Sequence, residues 1–214
     1  MIAGYTAAQV RAAEHPLLTA GEPLMRRAAA ALAAELRGFA PRRILALVGA
    51  GDNGGDALFA VAELASEGVT VDLVATASRH HGEGAAAALA AGARWVDAAD
   101  AARLAAAADL VLDGIVGIGS SPGLRGAARD IVVAIVPVLA AARRPRVIAV
   151  DIPSGISPDD GTVPDPAVLP ADLTVTFGAV KAGLLIEPGA RYAGRVVLVD
   201  LGLGPYLGDP VIEA

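Results

Sequence analysis

Short apolar stretches alternate along most of the chain with alanine-rich segments in which polar residues recur at helical spacing. The apolar stretches predict buried strands at 43–48, 70–75, 109–113 and 146–150, a short strand at Trp95, and later strands at 172–177 and 195–199. The segments between them predict helices near 83–91, 101–107 and 124–142. Strands that alternate with helices are typical of βαβ units, so we expect an α/β protein with a mostly parallel sheet.

Two further helices are predicted before the first of these strands. Thr6 and Gln9 form a capping-box pattern, which predicts a helix that begins there and stops before Pro16. A second helix is predicted from near Pro23 to Arg37, because glycine follows directly as a stop signal. Beyond residue 151, closely spaced prolines predict a long loop that reaches the strand at 172–177.

Composition narrows the class of protein. At 214 residues the chain can bury one substantial core, and we expect a single domain over 1–214. Hydrophobic residues make up 55% of the chain and aromatic residues 3%, which suits aliphatic helices packed on a parallel sheet. The longest apolar run, 131–142, is interrupted by Pro137 and is shorter than the roughly 18 residues of a membrane span, so no membrane association is expected.

The net charge and the lack of cysteine exclude further classes of partner and of reactive site. The formal net charge of -6 argues against a nucleic-acid partner, and the arginine pairs are scattered and not gathered into one stripe. Since the chain has no cysteine, it can have no disulfide, thiolate nucleophile or cysteine-bound zinc. The first basic residue is Arg11, so the N-terminus lacks the layout of a secretory signal, and a cytoplasmic protein is expected.

Glycine-rich polar segments follow three of the predicted strands. They read GAGDNGGD at 49–56, DGIVGIGSSPGLRG at 113–126 and DIPSG at 151–155. Open parallel sheets bind their ligands outside the carboxyl ends of the strands. We therefore expect the acids of these segments to project into one mouth, namely Asp52, Asp56, Asp113 and Asp151.

Lys181 and Asn53 each represent a residue type that occurs only once in the chain. Lys181 is the only lysine among 17 basic residues. An ammonium group, unlike a guanidinium, can change its pKa when buried, so Lys181 is a candidate for acid-base or point-charge chemistry, with a chance residue on a loop as the alternative. Asn53 is the only asparagine, and a ligand role and a role in a left-handed turn both stay open for it.

One motif in the second segment resembles a serine-hydrolase nucleophile. Residues 119–123 fit G-x-S-x-G around Ser121, but Pro122 has no N–H with which to build the oxyanion hole. All three histidines also precede this serine, which is the wrong order for that class. Adjacent His80 and His81 would be solvated surface residues more often than metal ligands.

The first segment fits the dinucleotide fingerprint G-x-G-x-x-G at 49–54. That fingerprint needs an acid at the tip of the next strand, whereas Asp72 lies inside the strand. Asp52 and Asp56 also lie where a diphosphate would be repelled. Arg79 would suit an NADP phosphate, so a dinucleotide-dependent oxidoreductase stays open as an alternative.

Taken together, four ordered motifs resemble the NAD(P)H-hydrate epimerase family, also known as the YjeF N-terminal domain. The family pattern is G-x-G-N-N-G-G-D-G after a strand, D-x-x-x-G-x-G with a following L-x-G, D-x-P-S-G, and T-x-T-F-G with a lysine shortly after. This chain carries corresponding motifs at 49–56, 113–126, 151–155 and 174–178, and Lys181 follows the last. The resemblance spans nearly the whole chain, including the segments TAAQVRAAE and LMRRAA near its start.

The resemblance implies a three-layer α/β/α Rossmann-like domain that interconverts the R and S epimers of hydrated NADH and NADPH. This is a repair reaction and not a redox one. A potassium ion is implied as cofactor, held by Asn53, Asp113 and Ser154, whose oxygens suit a hard cation. The implied nucleotide contacts are Asp52, Asn53, Gly54, Gly55, Asp56, Gly117, Ile118, Gly119, Ser120, Ser121, Pro122, Gly123 and Asp151.

For the reaction itself we predict Asp151 as the general acid-base, because a carboxylate at a buried strand tip can have its pKa raised toward the working pH. Lys181 is predicted as its partner or electrostatic anchor. The diphosphate is expected to meet the backbone amides of 117–123 and to avoid the acidic turn at 52–56.

The chain departs from the family pattern at a few positions. Asp52 replaces the first asparagine of N-N-G-G-D, and its extra charge would strengthen cation binding or weaken nucleotide binding. Ala57 replaces a glycine and is expected to be harmless at a helix start. Gly114 and Val116 stand where the family favours alanine and phenylalanine.

Partners are implied only through the family. Many relatives are fused to an ADP- or ATP-dependent dehydratase that acts on the S epimer, and others are dimers, so a dehydratase and a second copy of the chain are expected partners. A non-catalytic member that keeps the pocket for a nucleotide-like ligand or a protein is the remaining alternative.

Overall fold

A parallel sheet of seven strands forms the centre of the molecule. The computed structural model describes residues 1–119 and 122–214. In chain order, the strands and helices of this part are β1 (Ala3–Tyr5), α1 (Ala7–Thr19), α2 (Leu24–Arg37), β2 (Arg43–Val48), α3 (Asp52–Ser66), β3 (Thr70–Ala75), α4 (Gly82–Ala90), β4 (Arg94–Trp95), α5 (Ala101–Ala107), β5 (Leu110–Gly114), α6 (Gly126–Ile135), β6 (Arg146–Val150), β7 (Leu173–Phe177), β8 (Val180–Lys181), α7 (Ala190–Ala193), β9 (Arg195–Val199) and β10 (Ile212–Glu213).

The order of the strands creates a crevice in the middle of the sheet. The order is β4-β3-β2-β5-β6-β7-β9, and all neighbours pair in parallel. β3 and β4 follow β2 in the chain and lie on one side of it in the sheet. The next strand, β5, pairs with β2 on its other side. The direction of winding therefore reverses between β2 and β5, which is where ligands bind in open sheets of this kind.

The strands carry apolar side chains on both faces, because successive residues point to opposite sides. In β2, Ile44 and Ala46 pack into the cluster formed with α2, α3 and α4, whereas Leu45 and Leu47 pack into the cluster formed with α5 and α6. All four side chains are fully buried. Helices thus cover both faces of the sheet, and the predicted three-layer α/β/α architecture is confirmed.

The segment 151–172 has no helix or strand, yet much of it is buried. Residues 151–158 and 167–169 are shielded from solvent, and Ile152, Ile156 and Val168 form a third apolar cluster with β8. Beside this cluster lies a small sheet in which β1 pairs antiparallel with β10 and parallel with β8. Asp159 accepts a hydrogen bond of 2.6 Å from the N–H of Ala7, which ties the start of α1 to this segment.

Two predicted helix ends are wrong, and both involve proline. The capping box of Thr6 and Gln9 is present, but α1 continues through Pro16 to Thr19. Pro16 cannot donate a helical hydrogen bond and crowds the carbonyl four residues earlier, but its own carbonyl still accepts a hydrogen bond from Ala20, and the last turn of the helix forms. The helix predicted near 124–142 ends at Ile135 and gives way to a 3-10 turn, Val136–Ala140, that begins around Pro137. No helix in the described ranges is long and apolar enough to cross a membrane.

Candidate active site

A cleft with a volume of about 720 Å3 lies over the carboxyl ends of the central strands. Its floor and walls come from the turn after β2, the loop after β5, the residue after β6, and one face of α1 and α2. The predicted mouth of the sheet is therefore a real cavity. Asp52, Asp56 and Asp151 line it, whereas Asp113 is 1% exposed and lies beneath it.

Glycines allow the turn between β2 and α3 to pack tightly. A Cβ atom on Gly49 would lie 1.7 Å from the carbonyl oxygen of Ile115, and one on Gly54 would lie 2.2 Å from that of Gly49. Neither position can hold a side chain without moving the backbone. The close approach brings the first turn of α3, which carries Asp52 and Asn53, against the loop after β5.

Asp56 is a buried acid in the wall of the cleft. It is 8% exposed, and its Oδ1 has no hydrogen-bond partner among the described residues. Burial raises the pKa of this carboxyl well above its ordinary value, and repulsion from Asp151, Asp52 and Glu14 raises it further. Asp56 is therefore far more inclined to hold a proton than an exposed aspartate.

Asp151 directly follows β6 and is held in an unusual backbone conformation. Its φ of 66° lies in the left-handed region, which residues other than glycine seldom adopt. Its Oδ1 accepts hydrogen bonds from the ammonium of Lys181, from the N–H of Phe177 at 3.1 Å and from the hydroxyl of Thr176 at 3.3 Å. Because the described bonds all end on Oδ1, Oδ2 is the oxygen left for a ligand.

Lys181 lies below Asp151 and does not line the cleft. Its side chain is 1% exposed. Besides Asp151, its ammonium donates to the carbonyl of Phe177 at 2.8 Å and to the hydroxyl of Thr176 at 3.2 Å. All three donors of the ammonium are thus used within the protein, and this buried lysine can act on a substrate only through Asp151.

Asp113 and Ser154 form a second buried pair beneath the cleft. The Ser154 hydroxyl donates to Oδ1 of Asp113 at 2.6 Å, and the Ser154 N–H donates to Oδ2 at 2.8 Å. Burial raises the pKa of Asp113, and the two bonds from Ser154 oppose that rise. Within the described ranges no lysine or arginine lies within ion-pair distance of Asp113, so a buried carboxyl here has no cationic partner.

Asn53 lies beside the same loop segment as Ser154. A Cβ on Gly117 would lie 3.2 Å from Oδ1 of Asn53, and the Ser154 hydroxyl accepts a hydrogen bond of 3.0 Å from the N–H of Val116, the preceding residue. Asn53 is 7% exposed, and its Nδ2 has no partner among the described residues. The three predicted potassium ligands therefore converge on the segment 113–117.

The structure places only some of the predicted nucleotide contacts in the cleft. Gly117, Ile118, Gly119 and Gly123 line it, as do Asp52, Asn53, Asp56 and Asp151. Gly54, Gly55 and Pro122 do not, and Ser120 and Ser121 lie outside the described residues. The N–H of Gly123 already donates to the carbonyl of Gly155 at 3.0 Å, so this amide is not free for a phosphate.

Sequence reasoning missed the charged residues that α1 and the start of α6 bring to the cleft, which are Arg11, Glu14 and Arg125. Burial raises the pKa of Glu14, and nearby Asp151 and Asp52 raise it too, whereas Lys181 and Arg11 lower it. Arg125 occupies the variable position of L-x-G, and Arg11 and Glu14 fall in the segment TAAQVRAAE, to which no role was assigned. The spacing of Arg11 and Glu14 puts them on one face of a helix, but nothing in the sequence says what that face meets.

The features that suggested other functions have structural roles. Asp72 is fully buried inside β3 and pairs with Arg94 at 2.7 Å, so it is not an acid at a strand tip. His81 caps the start of α4, and the ring of His80 packs on Trp95. In the described part of the chain no three His, Cys, Asp or Glu side chains are grouped to hold a metal.

Comparison with known proteins gives three findings. Residues 21–183 match the family described as YjeF-related protein N-terminus. A protein named NAD(P)H-hydrate epimerase, from Clavibacter michiganensis subsp. michiganensis, is 57% identical over 99% of this chain and 95% of its own length. A protein named bifunctional NAD(P)H-hydrate repair enzyme Nnr, from Mycobacterium tuberculosis, is 44% identical over 93% of this chain and 41% of its own length.

A solved structure supports the fold independently. The crystal structure of the yeast protein ynu0, YNL200c, resembles this one with a TM-score of 0.75, over 98% of this chain and 96% of that chain. The sequence identity is only 15%, so this likeness concerns the fold alone.

Proposed function

The chain belongs to the family of YjeF-related N-terminal domains, and on that premise we propose that it is an NAD(P)H-hydrate epimerase, an isomerase that interconverts the R and S epimers of hydrated NADH and NADPH. The observation that carries the proposal is the 57% identity, over almost the full length of both chains, to a protein that bears this name. The cleft at the switch point of the sheet supports it, because the cleft is large enough for a nucleotide and carries acid-base groups.

The chemistry requires protons at the oxygen on C6 of the reduced ring. The C6–O bond breaks as the hydroxyl takes up a proton and leaves as water, and the electron pair on the ring nitrogen stabilises the cation that remains. Water then adds to the other face of C6 and gives up a proton. The atoms balance, and the net change is inversion at one carbon.

Asp151 is the residue we assign to these proton transfers. Its Oδ1 is occupied by bonds within the protein, and Oδ2 is the oxygen left for the substrate or a water molecule. Lys181 touches Asp151 and not the cleft, so we assign it a positioning role. It holds the carboxylate in one orientation and balances its charge.

The nucleotide would occupy the described part of the cleft. The proposed contacts there are Asp52, Asn53, Asp56, Gly117, Ile118, Gly119, Gly123 and Asp151. Gly54 and Gly55 would act indirectly, since they allow the turn to pack and do not line the cleft.

A potassium ion fits the residues beneath the cleft. Asp113 is a buried carboxyl without a cationic partner in the described ranges, and the amide of Asn53 has an unpaired buried atom. Rotating that amide by half a turn exchanges its oxygen and nitrogen and presents an unpaired oxygen, as a hard cation requires. We propose Asn53, Asp113 and Ser154 as ligands. When bound, the ion would supply the positive charge that Asp113 lacks.

The remaining partners stay predictions. A dehydratase that consumes the S epimer would have to act in sequence with this chain, because epimerisation alone does not remove the added water. The relative named as a bifunctional repair enzyme fits such a division of labour. The homodimer, the single domain over 1–214 and the cytoplasmic location also stay predictions.

The deciding experiment supplies the purified chain with the R epimer of NADPH hydrate and potassium and follows the S epimer by chromatography that resolves the two. We expect conversion well above the spontaneous rate. No acceleration would refute the epimerase assignment. A change at the reduced-nicotinamide absorbance band would point to hydride transfer, and a ligand-dependent rise in melting temperature without turnover would point to a binding protein.

A further inference from the structure

The acids that line the cleft outnumber the cations. Four acids line it, which are Glu14, Asp52, Asp56 and Asp151. The described cations that line it are Arg11, on α1, and Arg125, which directly precedes α6. Lys181 offsets part of this negative charge, because it is bonded to Asp151 and lowers the pKa of Glu14, but it is buried and cannot reach a ligand in the cleft.

This distribution matters for a dinucleotide, which carries two negative charges on its diphosphate. Dinucleotide-binding sheets of this kind commonly place the diphosphate on the helix that follows the first strand of the sheet. Here that helix is α3, and its first two turns carry Asp52 and Asp56. A diphosphate at this helix would face two carboxyl groups, and burial together with repulsion from Asp151 and Asp52 already raises the pKa of Asp56.

Arg125 is well suited to an anion. It is exposed at the edge of the cleft, and among the described residues it makes no ion pair. It also stands at the N-terminal end of α6, a helix of ten residues whose first N–H groups add partial positive charge. An arginine that has no carboxylate partner keeps its full donor capacity for a ligand.

Arg11 is bonded to the glycine-rich loop that precedes Arg125. Its Nη2 donates to the carbonyl of Ile118 at 3.2 Å, and its Nε donates to the carbonyl of Ala7 at 3.3 Å. Carbonyls orient the guanidinium, and within the described ranges no carboxylate lies within ion-pair distance of it, although Glu14 is near enough for the two charges to interact. The guanidinium is thus held beside the glycine-rich loop without a direct carboxylate partner.

We propose that Arg11 and Arg125 bind the diphosphate of the substrate. The diphosphate then lies between α1 and the start of α6, and the reduced nicotinamide ring extends from there toward Asp151 and the other acids. This inference rests on the proposed epimerase function for the identity of the ligand. The two arginines supply donors that the Gly123 amide cannot, since this amide is already bonded to Gly155.

The test measures binding of ADP-ribose, which has the adenosine and diphosphate of the substrate but no nicotinamide, alongside epimerase kinetics. Arg125→Gln and Arg11→Gln are each expected to raise the Kd of ADP-ribose by about tenfold, as expected for loss of a charge-assisted hydrogen bond. KM should rise by a similar factor while kcat stays within about twofold, because the diphosphate is bound equally in the ground and transition states.

Arg129→Gln is the matched control. Arg129 lies one turn further along α6, pairs with Asp165 at 3.0 Å and does not line the cleft, so the same charge is removed nearby without touching the proposed site. Its Kd should stay within about twofold of the wild type. Arg11→Lys keeps the charge but loses the planar fork, so it should bind ADP-ribose more tightly than Arg11→Gln and less tightly than the wild type.

The outcomes separate this inference from the proposed function. An unchanged Kd in either glutamine variant, with the fold intact by melting temperature, overturns the diphosphate site, and so does an equal loss in Arg129→Gln. If the wild type epimerises and the variants match it, only the diphosphate site is wrong. If ADP-ribose binding depends on both arginines but no epimerisation occurs, the site is supported and the proposed reaction is refuted.

Discussion

A Cβ atom built on Gly114 would lie 2.6 Å from the Cβ of Ala57, where the start of α3 packs over the end of β5. The YjeF N-terminal pattern has the opposite arrangement, with alanine favoured at the first position and glycine at the second. Relative to that pattern, this chain carries a methyl group on the helix at Ala57 and none on the strand at Gly114. The two departures therefore compensate each other at one contact.

We predict from this contact that the two positions are coupled. Gly114→Ala alone should lower the free energy of unfolding by roughly 1–3 kcal/mol because it overpacks the contact. Ala57→Gly alone should lower it by about 1 kcal/mol through loss of helix propensity and of the methyl group. The double variant should be more stable than Gly114→Ala alone. Urea unfolding of all four proteins measures the coupling, and strictly additive effects would show that the methyl groups do not compete for one space.

A second prediction concerns Asp151. Asp151→Asn keeps an oxygen that can accept from Phe177 but loses the group that takes up and returns the proton, so kcat should fall at least about 100-fold. The circular dichroism spectrum should be unchanged. Activity within twofold of the wild type in a folded variant would remove Asp151 from the reaction.

A third prediction tests whether Lys181 acts through Asp151. Lys181→Met leaves a buried carboxylate without its counter-charge and should lower the free energy of unfolding by roughly 3–5 kcal/mol. Combining it with Asp151→Asn should recover part of that loss, since the uncompensated charge is gone. A double variant that loses the sum of both single effects would mean that the two side chains are energetically independent. Thermal and urea unfolding measure this.

A fourth prediction follows from the raised pKa of Asp56. An acid whose pKa is higher in the folded than in the unfolded state binds its proton more tightly when folded, so its contribution to stability falls as the pH rises from about 4 through the raised value. Asp56→Asn removes this loss. The variant should gain stability over the wild type as the pH rises, by about 1 kcal/mol at neutral pH, and the gain should vanish in acid.

Unfolding of both proteins across this pH range measures the difference. Asp130→Asn is the control, because Asp130 is exposed on α6 and its substitution removes the same charge outside the cleft. Parallel stability curves for Asp56→Asn and wild type would mean that Asp56 is ionised in the folded protein as easily as in the unfolded chain.

A fifth prediction concerns potassium. An ion that binds only the folded state stabilises it by about 1.4 kcal/mol when its concentration is tenfold above Kd, so potassium should raise the melting temperature by a few degrees relative to tetramethylammonium at equal ionic strength. Asn53→Ala and Asp113→Asn should abolish the rise, and Asp130→Asn should keep it. An equal rise in the two ligand variants would place any bound potassium elsewhere.

Much of the fold could be predicted because its signals are local. Residues 44–48 form an unbroken apolar run, and the strand predicted at 43–48 has those bounds in the structure. The helix predicted from Pro23 to Arg37 runs from Leu24 to Arg37 because proline and glycine mark its two ends. The effect of a proline on a helix depends on the structure around it, and the predicted helix ends were wrong at Pro16 and Pro137.

The sequence by itself determined the alternation of strands and helices, and it singled out Asn53, Asp151 and Lys181 through their motifs and their rarity. Only the tertiary structure decided that Lys181 lies behind Asp151, that Asp113 lies beneath the cleft, and that Arg11, Glu14 and Arg125 reach it. A sequence motif predicts the local backbone conformation over a few residues. The meeting of α1 with the loop after β5 depends on the packing of segments about a hundred positions apart, and no local pattern encodes that.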